Sequence, residues 1–213
     1  MQIVFVRHGQ TEWNAEDRIQ GQLDAKLSRL GLIQAAAASH ALARLPLSAV
    51  YSSDLSRALD SAKVIARPHG IMVQKTELLR EVNLGAWQGL SLREIQDRFP
   101  SEYAAYRADA VANRPPGAER IESVVARVSA FLETVTMGWS EDTIAVVAHG
   151  GTIRGALCWA LNSGPQMYRR IKLANAGITC IKITAGDAPT VTRANDTCHL
   201  RAASELAASA QEL

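Results

Sequence analysis

Long apolar runs are missing from this 213-residue chain. No uncharged apolar stretch approaches the ~18 residues that a membrane-spanning helix needs. Near the amino terminus only Ile3 to Val6 are apolar before Arg7 intervenes, and such a run is shorter than the ~7–15 residues of a signal-peptide core. The sequence therefore predicts a cytoplasmic protein with no membrane partner.

Cysteine is also scarce, and its placement argues against a disulfide framework. The chain holds Cys158, Cys180 and Cys198, an odd number without the spacing of metal ligands. Because Cys158 lies in the apolar stretch GALCWAL, we expect buried free thiols in a reducing compartment.

The net charge is small, at +2 from 23 basic and 21 acidic residues. This excess creates no long-range field of the kind that attracts nucleic acid, so anion chemistry must be local. Hydrophobic residues make up 47% of the chain and charged residues 21%, the ordinary balance of a globular protein. The length predicts one domain over residues 1–213, with a frayed alanine-rich tail at 201–213.

What the sequence does contain is an alternation of short β-branched runs with longer helical patterns. The predicted strands cover residues 3–6, 49–53, 71–74, 144–149, 177–183 and 190–194. Helices are predicted from an N-cap at Ser28, from near Asp54, from Ala118 to Val135 and after Gly151. The alternation is typical of an α/β fold with a mainly parallel sheet that is covered on both faces.

Residues 84–120 break this alternation. They contain a capping box at Ser91 to Glu94, then Pro100 and the turn sequence RPPG. We interpret them as a short helical excursion over one end of the sheet, a lid that selects the substrate.

Anion-binding residue types follow three of the predicted strands. Arg7 and His8 end the first strand, Arg57 lies early in the helix after the second, and His149 and Gly150 lead from the 144–149 strand into a helix. Ligands of open parallel sheets gather at this edge, where helix N-termini supply N–H donors. A guanidinium offers paired donors to phosphoryl oxygens, so the pattern predicts a phosphate pocket.

A neutral imidazole in such a pocket is a nucleophile that needs no separate base. His8 is the candidate, with Gly9 predicted to let the backbone turn sharply and leave the ring open. The leaving oxygen needs a proton, and Glu81 is the candidate acid because burial among apolar neighbours would raise its pKa. From the residues alone, Arg57 could instead form a surface ion pair with Asp54 or Asp60, and Glu81 could be a solvated loop carboxylate.

The motifs, taken together, resemble the histidine phosphatase superfamily, in its branch of phosphoglycerate-mutase-like phosphatases. They occur in the order of that family and span residue 3 to about residue 200. The matching stretches are VRHGQTEWN (6–14), RIQG (18–21), LS..G..QA (from 27), YSSDLSRA (51–58), LLREVNLGAWQG (78–89) and VVAHGGTIR (146–154).

The resemblance implies a three-layer α/β/α sandwich that uses no metal and no organic cofactor. It implies that His8 becomes phosphorylated and that Glu81 is the proton donor. The residues it implies around the phosphoryl group and the substrate are Arg7, Arg57, His149, Asn14, Gln20 and Gly21, with Gly150 beside them.

Hydrolysis of small phosphomonoesters is the function we expect, because mutases of this family carry a longer stretch after the acid residue. The alternatives are a cofactor-dependent phosphoglycerate mutase-type phosphotransferase and a catalytically silent phospho-ligand-binding module. A metallohydrolase is disfavoured, since two arginines at the same point would repel a divalent cation. The expected substrate is a sugar phosphate, a phosphoglycerate derivative or phosphoserine. Arg120 stands where many relatives of this family have Ser. The sequence leaves open whether the chain forms a homodimer.

Overall fold

A mixed six-stranded sheet forms the centre of the computed structural model, which describes residues 1–137 and 142–201. The strands are β1 (Gln2–Arg7), β2 (Leu47–Ser53), β3 (Val73–Thr76), β4 (Thr143–Ala148), β5 (Ile178–Lys182) and β6 (Thr190–Asp196). Their order across the sheet is β3-β2-β4-β1-β5-β6, and the first four strands in this order run parallel to one another. Strand β5 runs opposite to β1, and β6 runs opposite to β5. The predicted mainly parallel sheet is therefore confirmed, with an antiparallel edge.

The helices connect these strands along the chain. They are α1 (Glu12–Ala15), α2 (Arg29–Leu42), α3 (Ser56–Ala66), α4 (Leu92–Arg98), α5 (Pro100–Ala108), α6 (Ile121–Thr136) and α7 (Gly150–Ala160). Single 3₁₀ turns cover Arg67–His69, Glu77–Leu79, Gly85–Trp87, Pro165–Arg169 and Cys198–Leu200. Ser28 caps α2 as predicted, because its hydroxyl accepts a hydrogen bond from the Gly31 amide at 3.1 Å.

The predicted start of a helix at Ala118 is wrong. Gly117 adopts a left-handed conformation with φ of +71°, and the Ala118 amide closes a turn onto the Pro115 carbonyl at 3.0 Å. The next amide, of Glu119, bonds the Asn83 carbonyl at 2.9 Å. These bonds tie the chain to the segment that follows Glu81, so the helix begins only at Ile121.

Two helical layers cover the sheet, as β1 illustrates. Ile3 and Phe5 pack into a core cluster with α6 and α7, whereas Val4 and Val6 pack into a second cluster with α2 and α3. A strand that is buried on both faces reads as a continuous apolar run. This arrangement confirms the predicted three-layer sandwich.

The excursion at 84–120 contains α4 and α5, and the predicted capping box is present. The Ser91 hydroxyl accepts from the Glu94 amide, and the Glu94 carboxylate accepts from the Ser91 amide at 2.7 Å. Trp87 anchors the segment, with its ring centroid 6.1 Å from that of Tyr103 and 5.0 Å from that of Tyr106. Its role as a lid stays a prediction.

All three cysteines are free thiols, but only Cys158 and Cys180 are buried. The expectation of burial is wrong for Cys198, because that residue opens an exposed 3₁₀ turn just after β6. No helix within residues 1–137 or 142–201 is long and apolar enough to cross a membrane. The predicted tail beyond residue 201 lies outside the described residues.

Candidate active site

His8 stands at the carboxyl edge of the sheet. Its backbone amide bonds the Ala148 carbonyl at 2.9 Å, which extends the pairing of β1 with β4 by one residue. The side chain is 2% exposed, and its Nδ1 lies 2.7 Å from the Gly9 carbonyl oxygen. In a neutral imidazole Nδ1 must be the atom that donates to that carbonyl, so the free lone pair lies on Nε2. Nε2 is therefore the ring atom that is available to a ligand.

Gly9 has a different role from the one predicted. It is not among the glycines with positive φ, so no special turn requires it. A Cβ at Gly9 would instead collide with the backbone of Gly31, and a Cβ at Gly31 would collide with the Gln10 carbonyl. The two glycines let the start of α2 approach the end of β1 closely, which fixes the backbone beside His8.

Two arginines are clamped beside His8 by backbone carbonyls. Arg7 Nη1 donates to the Leu173 carbonyl at 2.6 Å. Arg57 donates from Nη2 to the Gly21 carbonyl at 2.7 Å and from Nη1 to the Leu23 carbonyl at 2.9 Å. The Nε of each arginine is buried and has no partner among the described residues. Each guanidinium therefore keeps an unused N–H for an anion.

Gly21 is tied to Arg57 through its backbone carbonyl, and its predicted place beside the substrate stays a prediction. Its φ of +54° is a left-handed conformation that favours glycine, and it aims the carbonyl at Arg57. The alternative in which Arg57 pairs with a nearby aspartate is wrong. Asp54 pairs with Arg80 at 2.5 Å, and Asp60 pairs with Lys63 at 2.9 Å.

His149 is the N-cap residue of α7 and is 0% exposed. Its side chain makes no capping bond, and neither ring nitrogen has a partner within residues 1–137 and 142–201. The ring centroid lies 5.1 Å from that of His8. Gly150 lies beside the arginines, because a Cβ on it would be in van der Waals contact with Arg7 Nε at 3.7 Å and Arg154 Nη1 at 3.9 Å. The helix start thus presents its amides and a free imidazole to the same point.

Burial and positive charge keep both imidazoles neutral. Desolvation is the largest cause, and it lowers the pKa of His8 and of His149 well below 6.5. The charges of Arg7 and Arg57 lower the pKa of each ring further. A neutral His8 retains the lone pair that a nucleophile requires.

Glu81 faces the same helix start from the other side. Its Oε1 accepts hydrogen bonds from the Val82 amide at 2.9 Å and the Gly151 amide at 3.0 Å. Its backbone carbonyl accepts from Gln22 Nε2 at 3.0 Å and Arg127 Nη2 at 3.3 Å. The solvated-loop alternative is therefore wrong, since the carboxylate is half-buried and held by the backbone.

Asn14 and Gln20 are the remaining predicted contacts; Asn14 lies in α1, and Gln20 lies in the loop between α1 and α2. Asn14 Oδ1 accepts from the Thr11 amide at 3.1 Å and from Asn175 Nδ2 at 3.2 Å, which leaves its own amide nitrogen to donate. Asn175 Nδ2 also lies 3.1 Å from the His8 carbonyl. Gln20 is 8% exposed, and its Oε1 has no partner in the described part of the chain.

Three residues of the site were not predicted from the sequence. Asn175 joins Asn14 to the His8 backbone, and its signal was the polar break LANAG before β5. Arg127 binds the Glu119 carboxylate at 2.8 Å and reaches the Glu81 carbonyl. Tyr168 is 6% exposed and its hydroxyl has no partner among the described residues; its sequence context carries no signal.

Known proteins resemble the chain across this whole architecture. The family model of the histidine phosphatase superfamily (branch 1) matches residues 3–197. Phosphoglycerate mutase-like protein 4 of Arabidopsis thaliana is 34% identical over 202 residues, 93% of this chain and 86% of that protein. Phosphoserine phosphatase 1 of Hydrogenobacter thermophilus is 30% identical over 200 residues, 94% of each.

A solved structure gives the same comparison in three dimensions. The mycobacterial glucosyl-3-phosphoglycerate phosphatase in complex with VO3 matches with a TM-score of 0.84 and 32% identity. The match covers 92% of this chain and 99% of that one. The similarity therefore includes the sheet, both helical layers and the strand ends that carry the site.

Proposed function

Because the chain belongs to the histidine phosphatase superfamily, we propose that it is a metal-independent phosphatase that hydrolyses small phosphomonoesters through a phosphohistidine at His8. One observation carries the proposal. The free Nε2 of His8 belongs to a buried cluster that also holds unpartnered nitrogens of Arg7, Arg57 and His149. Buried polar groups are normally paired, so such a set fits a ligand rich in oxygen acceptors.

In the first step His8 Nε2 attacks the phosphorus in line with the ester oxygen. The N–P bond forms as the ester P–O bond breaks, and protonated Glu81 gives its proton to the departing oxygen. The Nε atoms of Arg7 and Arg57 and a ring nitrogen of His149 bind the equatorial oxygens, whose charge they stabilise. The Gly9 carbonyl holds Nδ1–H and stabilises the positive charge that develops on the His8 ring.

In the second step a water molecule attacks the phosphohistidine. Glu81, now ionised, takes a proton from the water as the O–P bond forms and the N–P bond breaks. Inorganic phosphate leaves, and His8 and Glu81 return to their starting protonation states. Glu81 Oε2 is the oxygen suited to both transfers, because Oε1 is already engaged by two backbone amides.

The substrate we propose carries a carboxylate near its phosphate, as a phosphoglycerate derivative or phosphoserine does. A third cation, Arg154, supports this choice. A Cβ built on Gly150 would lie 3.8 Å from the guanidinium carbon of Arg7 and 3.9 Å from Arg154 Nη1, so the two side chains flank the same point, and Arg154 Nε is fixed to the Ile171 carbonyl at 2.9 Å. The phosphoryl group satisfies Arg7 and Arg57, so Arg154 remains for a second anionic group. Two relatives whose names specify phosphoserine and glucosyl-3-phosphoglycerate agree with this class.

Trapping of the intermediate tests the proposal. The wild-type protein and His8→Ala are mixed with p-nitrophenyl phosphate in EDTA and quenched in alkali, which preserves phosphohistidine. We expect a phosphoenzyme and turnover in the wild type only, with activity falling about 10³-fold or more in the variant. His40→Ala, at an exposed position on α2, is the matched control.

Three outcomes would overturn the proposal. Near-normal turnover by His8→Ala would show that His8 is not the nucleophile. Loss of activity in EDTA would indicate a metal-dependent mechanism. Transfer of labelled phosphate to 3-phosphoglycerate faster than to water would indicate a mutase.

A further inference from the structure

The hydroxyl of Tyr168 is a buried donor that the mechanism above does not use. The residue lies in the 3₁₀ turn Pro165–Arg169, is 6% exposed and packs in the core cluster of α6 and α7. Its hydroxyl has no partner in residues 1–137 or 142–201. An unpaired buried hydroxyl is costly to fold, so its presence indicates an acceptor that arrives with a ligand.

The surroundings of the hydroxyl identify where that acceptor arrives. A Cβ built on Gly151 would collide with both the Tyr168 hydroxyl and Glu81 Oε1. The two oxygens therefore flank the same stretch of backbone at the start of α7. Oε1 is saturated by the amides of Val82 and Gly151, and no bond joins it to the phenol. The phenolic proton is thus left for an oxygen that sits beside Glu81.

Resting on the proposed function, we propose that Tyr168 is a second catalytic residue that donates a hydrogen bond to the oxygen at Glu81 in both chemical steps. That oxygen is the ester oxygen in the first step and the attacking water in the second. Tyr168 keeps its proton throughout, while Glu81 gives and then takes one. The phenol stabilises the negative charge on the departing oxygen and orients a water lone pair towards phosphorus.

The phenol is suited to remain a neutral donor. Burial raises the pKa of Tyr168 well above its usual value of 10.0, and the Glu81 carboxylate raises it further. The ring is held in place, with the Arg154 guanidinium carbon 5.9 Å from its centroid. Arg154 is itself fixed to the Ile171 carbonyl. The donor is therefore preorganised, as stabilisation of developing charge requires.

Tyr168→Phe tests the proposal, because it removes only the hydroxyl. With p-nitrophenyl phosphate, whose leaving oxygen needs little help, we expect kcat to fall about 10- to 100-fold while kcat/KM changes less than about twofold, so KM falls together with kcat. The second step alone should slow, so phosphoenzyme should accumulate in an alkaline quench. The Tm should stay equal or rise, since an unsatisfied buried group has been removed. Tyr51→Phe is the matched control, with its ring 5.4 Å from that of Phe131 in the core.

Two results would overturn the role. Wild-type kcat in Tyr168→Phe would show that the hydroxyl does not act in catalysis. Loss of activity with a parallel fall in Tm and no accumulated phosphoenzyme would make the role structural. Failure of the proposed function would give a different result, because no phosphoenzyme would then be detected even with the wild-type protein.

Discussion

The substitution Glu81→Gln separates the proton of this carboxyl group from its position. A glutamine oxygen can replace Oε1 and keep the bonds from the Val82 and Gly151 amides, at 2.9 and 3.0 Å in the native protein. The Glu81 carbonyl retains its bonds to Gln22 and Arg127, because those bonds involve only the backbone. The variant should therefore fold with its side chain in place and lack only the acid and base function.

The size of the effect depends on the leaving group. General acid catalysis contributes about 10²–10⁴-fold, or roughly 3–5 kcal/mol of transition-state stabilisation. For glycerol 2-phosphate, an alkyl ester that needs the proton, kcat/KM should fall by that factor. For p-nitrophenyl phosphate, whose phenolate leaves unaided, kcat/KM should fall less than about tenfold. This ratio reports steps up to phosphorylation, so slow water attack does not obscure it.

Rapid mixing with both esters completes the assay for Glu81→Gln. Water attack also needs the carboxylate, so phosphoenzyme should accumulate with the aryl ester. Glu77→Gln, at an exposed position in the 3₁₀ turn Glu77–Leu79 that precedes Glu81, is the control and should match the wild type. An equal loss of kcat/KM for the two esters would refute the reasoning, because the missing proton would then not be the cause.

Two further predictions concern stability. Arg127→Met should lower the free energy of unfolding by about 3 kcal/mol, because it leaves the largely buried Glu119 carboxylate without its cation. Lys63→Met, which removes the exposed pair with Asp60, should lower it by less than about 1 kcal/mol. Urea denaturation measures both, and equal losses would contradict the assignment. Because the pKa of His8 and His149 lies well below 6.5 in the folded chain, the unfolded chain binds protons first on acidification. The free energy of unfolding should therefore fall below about pH 6.5 by up to about 1.4 kcal/mol per pH unit for each histidine. Denaturation between pH 7.5 and 5 measures this dependence, and the free energy of unfolding of His149→Asn should fall less steeply with pH than that of the wild type. Identical slopes for the two proteins would contradict the prediction.

The sheet could be predicted because its strands obey a simple rule. Strands such as β1 and β4 are buried on both faces, so they appear as continuous apolar runs that end abruptly at polar residues. The carboxyl ends of parallel strands meet at one edge, which brings His8 and His149 together from sequence positions 141 apart (149 − 8). Strand ends are therefore places where local pattern predicts a long-range contact.

Residues outside the strand ends could not be predicted in this way. Tyr168 and Asn175 reach the site from a 3₁₀ turn and a loop before β5, where no periodicity fixes the direction of a side chain. The close approach of Gly9 to Gly31 depends on how α2 docks against β1, a tertiary fact. The start of α6 is displaced because residues 118–119 bond to Pro115 and Asn83 rather than joining the helix.

The candidate active site contains buried polar atoms that lower the stability of the fold. Arg7, Arg57, His149 and Tyr168 each hold a buried polar atom without a partner in the described chain, and each such atom costs roughly 1–3 kcal/mol. The surrounding groups offset this cost through bonds to backbone carbonyls, which hold both guanidinium groups from behind. In the proposed reaction, a phosphoryl group supplies the missing acceptors. Donors held in place in this way stabilise the charge that develops in a transition state without having to reorganise first.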